Sequence, residues 1–293
     1  MEVINPKVKF YMIEVLKCGL YDTIQDLGRF NVQDYGVPYS GAMDLQSAKV
    51  ANSILGNSLS NAVLEITILG PKLKFYCDTE IAIAGADLSP MLNDQPVKLN
   101  TCVHVNALDV LYFGPQQYGC RSYLAVKGGF QTEFVMNSFS MYKPITIQSR
   151  LKKGDRPSVL KIEEFNTNAN ASLKIDKTHF NVDEIEVFKG VEFYSLSEAA
   201  QALLFSTEFT VSNKSNRMAY QVDETITNTI EPIITSSVLP GTVQLTPSGT
   251  LLFLMRDAQI TGGYPRVLQV AETSINRLSQ KIFGEKFRLK CIY

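Results

Sequence analysis

The sequence predicts a mainly β fold, a barrel or sandwich carrying a few helices. Three observations predict it: short runs rich in β-branched and aromatic residues, turn residues between those runs, and only three stretches with helical periodicity. The runs at 73–76, 80–84, 103–105, 109–113 and 122–126 are separated by Gly, Pro, Asn and Asp. Those at 243–245 and 251–255 are joined by the turn-like Thr246-Pro247-Ser248-Gly249. Such spacing suits closed or stacked antiparallel sheets rather than alternating β-α units.

The helices follow from their end signals. Asp44 is placed to cap a helix running through Leu55, with Leu45, Ala48 and Leu55 on one face and Gly56-Asn57 as the stop. Ser195 and Glu198 form a capping box ahead of a helix over 199–204. A third helix over 273–283 sets Ile275, Leu278 and Ile282 on one side and ends at Gly284. The clearest change in composition lies at 161–180, where Asn166-Thr-Asn-Ala-Asn170 is polar and unpatterned. It reads as a linker or surface loop between a β-barrel-like domain at 1–160 and a second β-barrel domain at 181–293.

Composition excludes several function classes. Hydrophobic residues make up 45% and charged residues 19%, as in folded globular chains. The 28 basic side chains balance 29 acidic ones without a cationic cluster, which argues against nucleic acid or an anionic membrane as partner. The five cysteines are scattered and contain no C-x-x-C pair, so reduced thiols are expected. With no signal-like or membrane-length apolar run, the cytoplasm is the expected compartment. Of the two histidines, His104 lies in an alternating strand and reads as structural, while His179 at the linker's edge reads as exposed. No zinc-binding helix, phosphate-binding P-loop, dinucleotide fingerprint or nucleophile elbow is present, and no metal is expected.

Three stretches hold more polar groups and glycine than packing requires. The first runs from Tyr21-Asp-Thr-Ile-Gln-Asp26-Leu-Gly-Arg29 to Gly36-Val-Pro38-Tyr-Ser40-Gly-Ala-Met-Asp44 and ends at a helix N-terminus suited to an anion. Its structural alternative is a cap, turns and an Asp26–Arg29 ion pair. The second is Gly119-Cys-Arg-Ser-Tyr-Leu-Ala-Val-Lys-Gly128-Gly129, where a strand meeting a Gly pair is more simply a tight connection. The third, Arg256-Asp257-Ala-Gln259-Ile-Thr261-Gly262-Gly263-Tyr264-Pro265-Arg266, follows an apolar strand. There Asp, Gln and Thr present hydrogen-bonding groups, and the glycines admit a planar amide or ureido group to the main chain.

In this order the stretches resemble the biotin-dependent carboxyltransferase-like family of allophanate hydrolase subunit 2 and KipA-like proteins, whose bacterial members include the C-type component of 5-oxoprolinase. The resemblance rests on Thr23–Arg29, Gly36–Asp44, Ala62–Glu65 and Gly85-Ala86, then on 121–129, 151–155 and 215–218. It continues through Leu239-Pro-Gly241, Gln244 and Asp257-x-Gln-x-Thr-Gly-Gly-Tyr-Pro265. It implies cyclophilin-like β-barrels and action beside two partners, a KipI-like (B-type) protein and a LamB/YcsF-type (A-type) protein. The implied activity is ATP-dependent opening of the cyclic amide 5-oxoproline to glutamate. ATP is expected to bind with the partner proteins. Biotin is expected only if another protein carries it, because no Met-Lys-Met segment is present.

The expected catalytic residues are Asp257, Gln259, Thr261 and Tyr264. Asn216, Arg217, Gln244, Gly262, Gly263, Asp26, Arg29 and Asp44 are expected to bind substrate. Two other activities fit the same resemblance: a biotin-dependent carboxyltransferase component acting on urea or a related amide, and a non-catalytic KipI-binding regulator. The chain departs from the family pattern at Asn137 and Met141 (relatives often have Gly and Thr), at Ala219 and Gln221 (Gly and Arg), and at Ile260 (Thr). Loss of an Arg at 221 would weaken anion binding if that position faces the ligand, and Ile260 can simply point into the core.

Overall fold

The computed structural model describes residues 10–160 and 178–292. They form a mainly β structure with four helices. The chain divides into two compact units, one of residues 10–28 with 45–160, the other of residues 29–44 with 178–292. The segment 29–44 therefore belongs with the C-terminal half, whereas local sequence patterns keep it in the N-terminal one. Most of the Asn-rich stretch, 161–177, lies outside the described residues.

The first unit contains β1 (Phe10–Lys17), β2 (Tyr21–Gln25), α1 (Leu45–Ile54), β3 (Val63–Thr67), β4 (Lys72–Phe75), β5 (Thr79–Asp87) and β6 (Pro90–Leu92). It continues with β7 (Gln95–Pro96), β8 (Val103–Val105), β9 (Val110–Phe113), β10 (Tyr118–Val126), β11 (Phe130–Gln131) and β12 (Ser158–Leu160). One sheet has the order β11-β12-β1-β4-β9-β6-β7, the other β2-β3-β10-β5-β8. Their shared core includes Ile13, Val15, Leu64, Phe75, Ile81, Ile83, Leu124 and Phe130. Nearly all of β5 is buried because both its faces are covered. Ile81 and Ile83 enter the core, while the small Ala82 and Ala84 alternate with them, and α1 packs on β5 and β10.

The second unit contains α2 (Thr178–Asn181), β13 (Glu184–Lys189), α3 (Glu198–Ser206), β14 (Glu208–Thr210), β15 (Ala219–Thr225) and β16 (Ser236–Ser237). β17 (Thr242–Leu245), β18 (Thr250–Leu254), β19 (Thr261–Gly262), β20 (Arg266–Val270), α4 (Glu272–Leu278) and β21 (Lys286–Cys291) complete it. Seven strands run in the order β14-β21-β13-β20-β17-β18-β15. A bridge between Val211 and Val222, with Ser212 N–H donating to Gln221 O at 2.9 Å, ties the two outer strands together. The sheet is thus a nearly closed barrel, and closure removes the exposed edges that invite aggregation. Phe193, Leu204, Phe209, Phe253, Phe287 and Met43 fill its core.

Two helix boundaries differ from those the sequence predicts. Ser197, not Ser195, caps α3, its Oγ accepting from Ala200 N–H at 3.2 Å, because Ser195 closes a preceding 3-10 turn and Leu196 is extended. The helix predicted over 273–283 stops at Leu278. Beyond it Ser279 Oγ donates to Asn276 O, and Gln280 is drawn away toward Asp44. Residues 178–180, predicted as the end of a polar linker, lie in α2.

Candidate functional site

The densest polar cluster of the second unit is built where β18 runs out. Its apolar residues Leu251, Phe253 and Leu254 are buried, and the chain then turns, Ala258 N–H donating to Met255 O at 3.1 Å. The turn is stitched to the residues before β15: Met255 N–H donates to Met218 O and Asp257 N–H to Arg217 O, each at 2.9 Å. Side chains repeat the link. Arg217 Nε donates to Asp257 Oδ2 at 2.8 Å, and Nη2 donates to Oδ1 at 3.1 Å. Arg217 Nη2 also donates to Gly41 O at 2.6 Å, and Arg256 O accepts from Ser40 N–H at 2.8 Å. Segments 40–44, 215–219 and 255–260 therefore meet around one buried ion pair.

Such a pair organises more than it stabilises, because the desolvation of two charges offsets much of their attraction. With both carboxylate oxygens held by one guanidinium, Asp257 is placed to orient its surroundings rather than to abstract a proton. Arg217 is correspondingly committed to Asp257 and Gly41, which leaves it poorly suited to grip a ligand anion.

Below the following turn lies Gln244, fully buried on β17. Its Nε2 donates to Tyr264 O at 3.3 Å, while its Oε1 has no hydrogen-bond partner among the described residues. Gly262 lies close against it: a Cβ at that position would come within 2.4 Å of Gln244 Nε2, so the amide end would have to shift. Gln259 Oε1 is a second buried acceptor without a partner among the described residues. Leaving a buried acceptor unsatisfied costs roughly 1–3 kcal/mol. Gln244 Oε1 and Gln259 Oε1 lie within about twenty residues of chain, and each calls for an N–H or O–H donor such as a buried water or a ligand.

The short arm formed by β16 and β19 borders this region. Thr261 pairs with Ser237 and is exposed; Gly263 O accepts from Ile233 N–H at 3.0 Å, and Tyr264 is partly exposed. Arg266 clamps the arm. It donates to Glu192 Oε2 at 3.0 Å and to Oε1 at 2.7 Å, and its Nη1 reaches Ser236 Oγ. Hydrogen bonding from Arg266 holds the Glu192 carboxyl below its ordinary range, and Glu192 in turn raises the guanidinium.

The remaining expected binding residues are each engaged by neighbouring protein groups. Asn216 is exposed and turns its Oδ1 onto the N–H groups of Met218 and Ala219. Arg29 is fully buried and its main chain braces the loop, N–H donating to Tyr39 O and O accepting from Gln33 Nε2. Asp44 is also fully buried, its Oδ2 accepting from Gln280 Nε2 at 2.8 Å and facing His179 Nε2 at 2.9 Å. His179, expected at the surface, has a side chain only 9% exposed. It packs edge-on against Phe180.

Asp26 lies in the first unit. Its Oδ1 accepts from Gly28 N–H, Ser138 Oγ and Ser140 Oγ, and its Oδ2 accepts from Phe139 N–H, at 2.6–2.8 Å. Four donors saturate the carboxylate, so its work is to fix residues 138–140. Phe139 and Met141 wall a cavity of about 470 Å³ that none of the expected site residues lines. The second polar stretch is also structural: Arg121 approaches Glu65, which accepts from Tyr123 Oη, and Lys127 Nζ donates to Leu55 O.

Residues 35–291 match the model of the carboxyltransferase domain, subdomain A and B. The chain belongs to that carboxyltransferase domain family. Among similar proteins, the C-type subunit of 5-oxoprolinase from Escherichia coli is 31% identical over 94% of this chain and 89% of its own length. Urea amidolyase of Lachancea kluyveri is 41% identical over 130 residues, 44% of this chain and 7% of that one. Among crystal structures, TTHA0988 superposes with a TM-score of 0.85 at 25% identity, covering 99% of this chain. The chain spans only 57% of that relative's length. Kluyveromyces lactis urea carboxylase superposes with a TM-score of 0.81 at 26% identity, covering 95% of this chain and 27% of that one.

Within the carboxyltransferase domain family, the departures now have positions. Asn137 sits at φ 58°, a left-handed conformation that Asn tolerates better than most residues that could replace a glycine. Ala219 packs with Val238, Leu254 and Ala258. Ile260 is only half-buried, so it does not simply fill the core. Gln221 is also half-buried, on β15.

Neither Ser40, His179, Gln280 nor Glu192 was among the expected site residues. Only Ser40 carried a signal, since it lies inside the first polar stretch. The others lie outside the three polar stretches, and His179 and Gln280 reach Asp44 across 135 and 236 residues of chain. A triphosphate does not fit the arginines of this cluster: Arg217, Arg256 and Arg266 are already engaged by Asp257, Glu272 and Glu192.

Proposed function

We propose that this carboxyltransferase-family chain acts as the C-type subunit of a 5-oxoprolinase complex, contributing the groups that read the cyclic amide. The observation that carries this reading is the 31% identity to the corresponding Escherichia coli protein over nearly the full length of both chains. The geometry is compatible with it: Gln244 Oε1 and Gln259 Oε1 are acceptors without partners among the described residues, free for a lactam N–H once the site opens, and Asp257, in the same turn as Gln259, is fixed by Arg217.

A lactam is stabilised by resonance, so its hydrolysis to glutamate needs an activated carbonyl. ATP, bound with partner proteins of the KipI-like and LamB/YcsF types, supplies that activation, and water completes the ring opening. The residues of this chain hold the amide and steady charge developing on it. The whole reaction is carried out in the cytoplasm. The test is to combine this chain with both partners, ATP and 5-oxo-L-proline and to measure glutamate and phosphate. Equimolar release supports the reading, and no glutamate above the level without this chain rejects it. Gln259→Ala is expected to lower turnover about tenfold or more, as loss of a hydrogen bond made in the transition state does.

A second reading draws on the 41% identity to urea amidolyase over 130 residues. A ureido ring presents the same N–H and C=O edge as a lactam, so biotin carried by another protein, or urea, fits the same acceptors. Bound carboxybiotin would supply the carboxyl group. Inhibition of the reconstituted activity by avidin would favour this reading, and insensitivity to avidin favours the first.

A further inference from the structure

The cavity of the first unit, about 470 Å³, falls within the range of small-molecule sites, roughly 300–1,000 Å³. Its lining residues all lie between Gln131 and Ser158, away from the polar cluster of the second unit. The walls are fixed by specific bonds. Phe139 N–H donates to Asp26 Oδ2 at 2.7 Å, and the hydroxyls on either side of it, Ser138 and Ser140, both donate to Oδ1. Met141 N–H donates to Ile24 O at 2.9 Å, and Met141 O accepts from Gln25 Nε2 at 3.2 Å. Glu133 Oε2 accepts from Ile147 N–H at 2.9 Å, which joins two lining segments, and Asp155 Oδ2 accepts from Lys152 N–H at 2.7 Å. A lining fixed in this way is preorganised, so a ligand meets little ordering cost on entry.

The chemistry of the lining is selective. Its buried part is apolar at Met141, Leu151 and Pro157. Glu133 and Arg156 are exposed and Asp155 is half-buried, so the charges stand toward the opening. Arg156 turns outward: its Nη2 lies 3.4 Å from Glu14 Oε1 and its guanidinium 5.9 Å from the Tyr76 ring centre. Neither Glu14 nor Tyr76 lines the cavity, so the charge of Arg156 is balanced outside it. Each acid of the lining spends one oxygen on a backbone N–H, and Glu133 Oε1 and Asp155 Oδ1 carry no hydrogen bond among the described residues. The Phe139 ring, tilted against Phe134 at a centroid distance of 4.7 Å, adds an aromatic wall that attracts a cation.

We propose that this cavity binds a small organic ammonium ion that carries an apolar group. The ammonium donates to Glu133 and Asp155, and the apolar group rests against Phe139, Met141 and Leu151. An anion of the same shape would meet two like charges at the opening, and a neutral isostere would gain nothing from either carboxylate. The site is distinct from the amide-reading cluster proposed above and does not rest on it.

The experiment titrates the purified full chain with phenethylamine, using phenethyl alcohol and phenylacetate as neutral and anionic controls of similar shape. Binding is followed by the methionine methyl resonances, with that of Met141 assigned from Met141→Leu. Phenethylamine is expected to shift the Met141 methyl and to bind with a Kd of about 1 mM or tighter. Both controls are expected to bind at least about tenfold more weakly, the effect of one lost charge-assisted hydrogen bond. Glu133→Gln and Asp155→Asn each keep an oxygen for the backbone N–H while removing the charge. Each is expected to weaken phenethylamine about tenfold and to leave phenethyl alcohol unchanged.

Equal affinity for the amine and the alcohol overturns the proposal, as does a preference for phenylacetate. Shifts that spare Met141 place the amine elsewhere and overturn it too, and so does the absence of saturable phenethylamine binding up to about 10 mM. The charge series is read on the wild-type protein, so it decides the matter even if a variant fails to fold. None of these readouts involves partner proteins, ATP or glutamate formation, so this proposal and the 5-oxoprolinase reading stand or fall separately.

Discussion

At the scale of single residues, buried polar groups in the first unit have opposite thermodynamic signs. Asp26 is a carboxylate with four donors, so its removal takes the acceptor from the Ser138 and Ser140 hydroxyls and from two backbone N–H groups at once. Asp26→Ala is expected to cost about 2–4 kcal/mol in urea unfolding, since each stranded buried group costs about 1–3 kcal/mol and some regain water. Asp22 behaves the other way. Burial pushes its pKa from 3.8 up to about 6, although Gly19 N–H and the charge of Arg150 pull it down. The folded state then holds a proton that the unfolded state has released between about pH 4 and pH 6. Stability from this residue is therefore present below about pH 4 and is lost as pH rises through about 6. Asp22→Asn is expected to be more stable than wild type at pH 7–8, by about 1–3 kcal/mol, with the advantage gone at about pH 4. Thermal unfolding followed from about pH 4 to 8 checks this, and parallel profiles for the two proteins would show the assignment to be wrong. Asn137 tests the family departure: Asn137→Gly is expected to gain at most about 1 kcal/mol, whereas Asn137→Val should lose about 1–2 kcal/mol in the left-handed turn.

At the scale of elements, the arm of β16 and β19 is held by few bonds and one clamp. Ile233 N–H donates to Gly263 O and Val238 N–H to Ile260 O, and Arg266 joins Ser236 to Glu192. Glu192→Gln is expected to speed hydrogen exchange at the Ile233 and Val238 amides about tenfold, the worth of a charge-assisted bidentate pair near the surface. Because the Glu192 carboxyl is held below its ordinary value of 4.5, its contribution persists above that pH and is lost only as pH falls through the lowered pKa. Faster exchange across the whole barrel, rather than in the arm, would mean that the pair secures the fold instead. How much of this is legible in the sequence depends on how local the cause is. The strands at 103–105 and 243–245 are readable because alternation and flanking turns are encoded within a few residues. The helix over 273–283 is predicted too long because what ends it, Gln280 turning to Asp44, lies 236 residues away in sequence. The Asp257–Gln259 turn is legible as a polar site, for its residues lie side by side. Neither the Arg217–Asp257 pair nor the burial of His179 is, since each joins segments that no local pattern connects.

At the scale of the whole molecule, the chain visits its two units in alternation, and the second unit is not contiguous. Residues 29–44 supply it with Met43, fully buried in the barrel core, and with Asp44, whose carboxylate faces His179 and Gln280. They also give Ser40 N–H to Arg256 and Gly41 O to Arg217. A fragment of residues 177–293 would thus carry a hole where Met43 stood, and truncating a buried side chain of that size costs about 2–5 kcal/mol. It would lose polar partners for Arg217 and Gln280 besides. Together these approach the roughly 5–15 kcal/mol by which a whole domain is stable. The fragment 177–293 is expected to keep strand content in far-ultraviolet circular dichroism but to lose dispersed methyl resonances and bind a hydrophobic dye, as a compact state without fixed packing does. The same fragment with residues 29–44 fused through a long flexible linker is expected to regain both dispersed resonances and a cooperative unfolding transition. If 177–293 folds cooperatively by itself, the segment 29–44 is a passenger on the barrel. If only the fused form folds, the polar stretch that ends at Asp44 is an integral part of the second unit. Its position between two pieces of the first then requires both units to be synthesised before the second can complete its core.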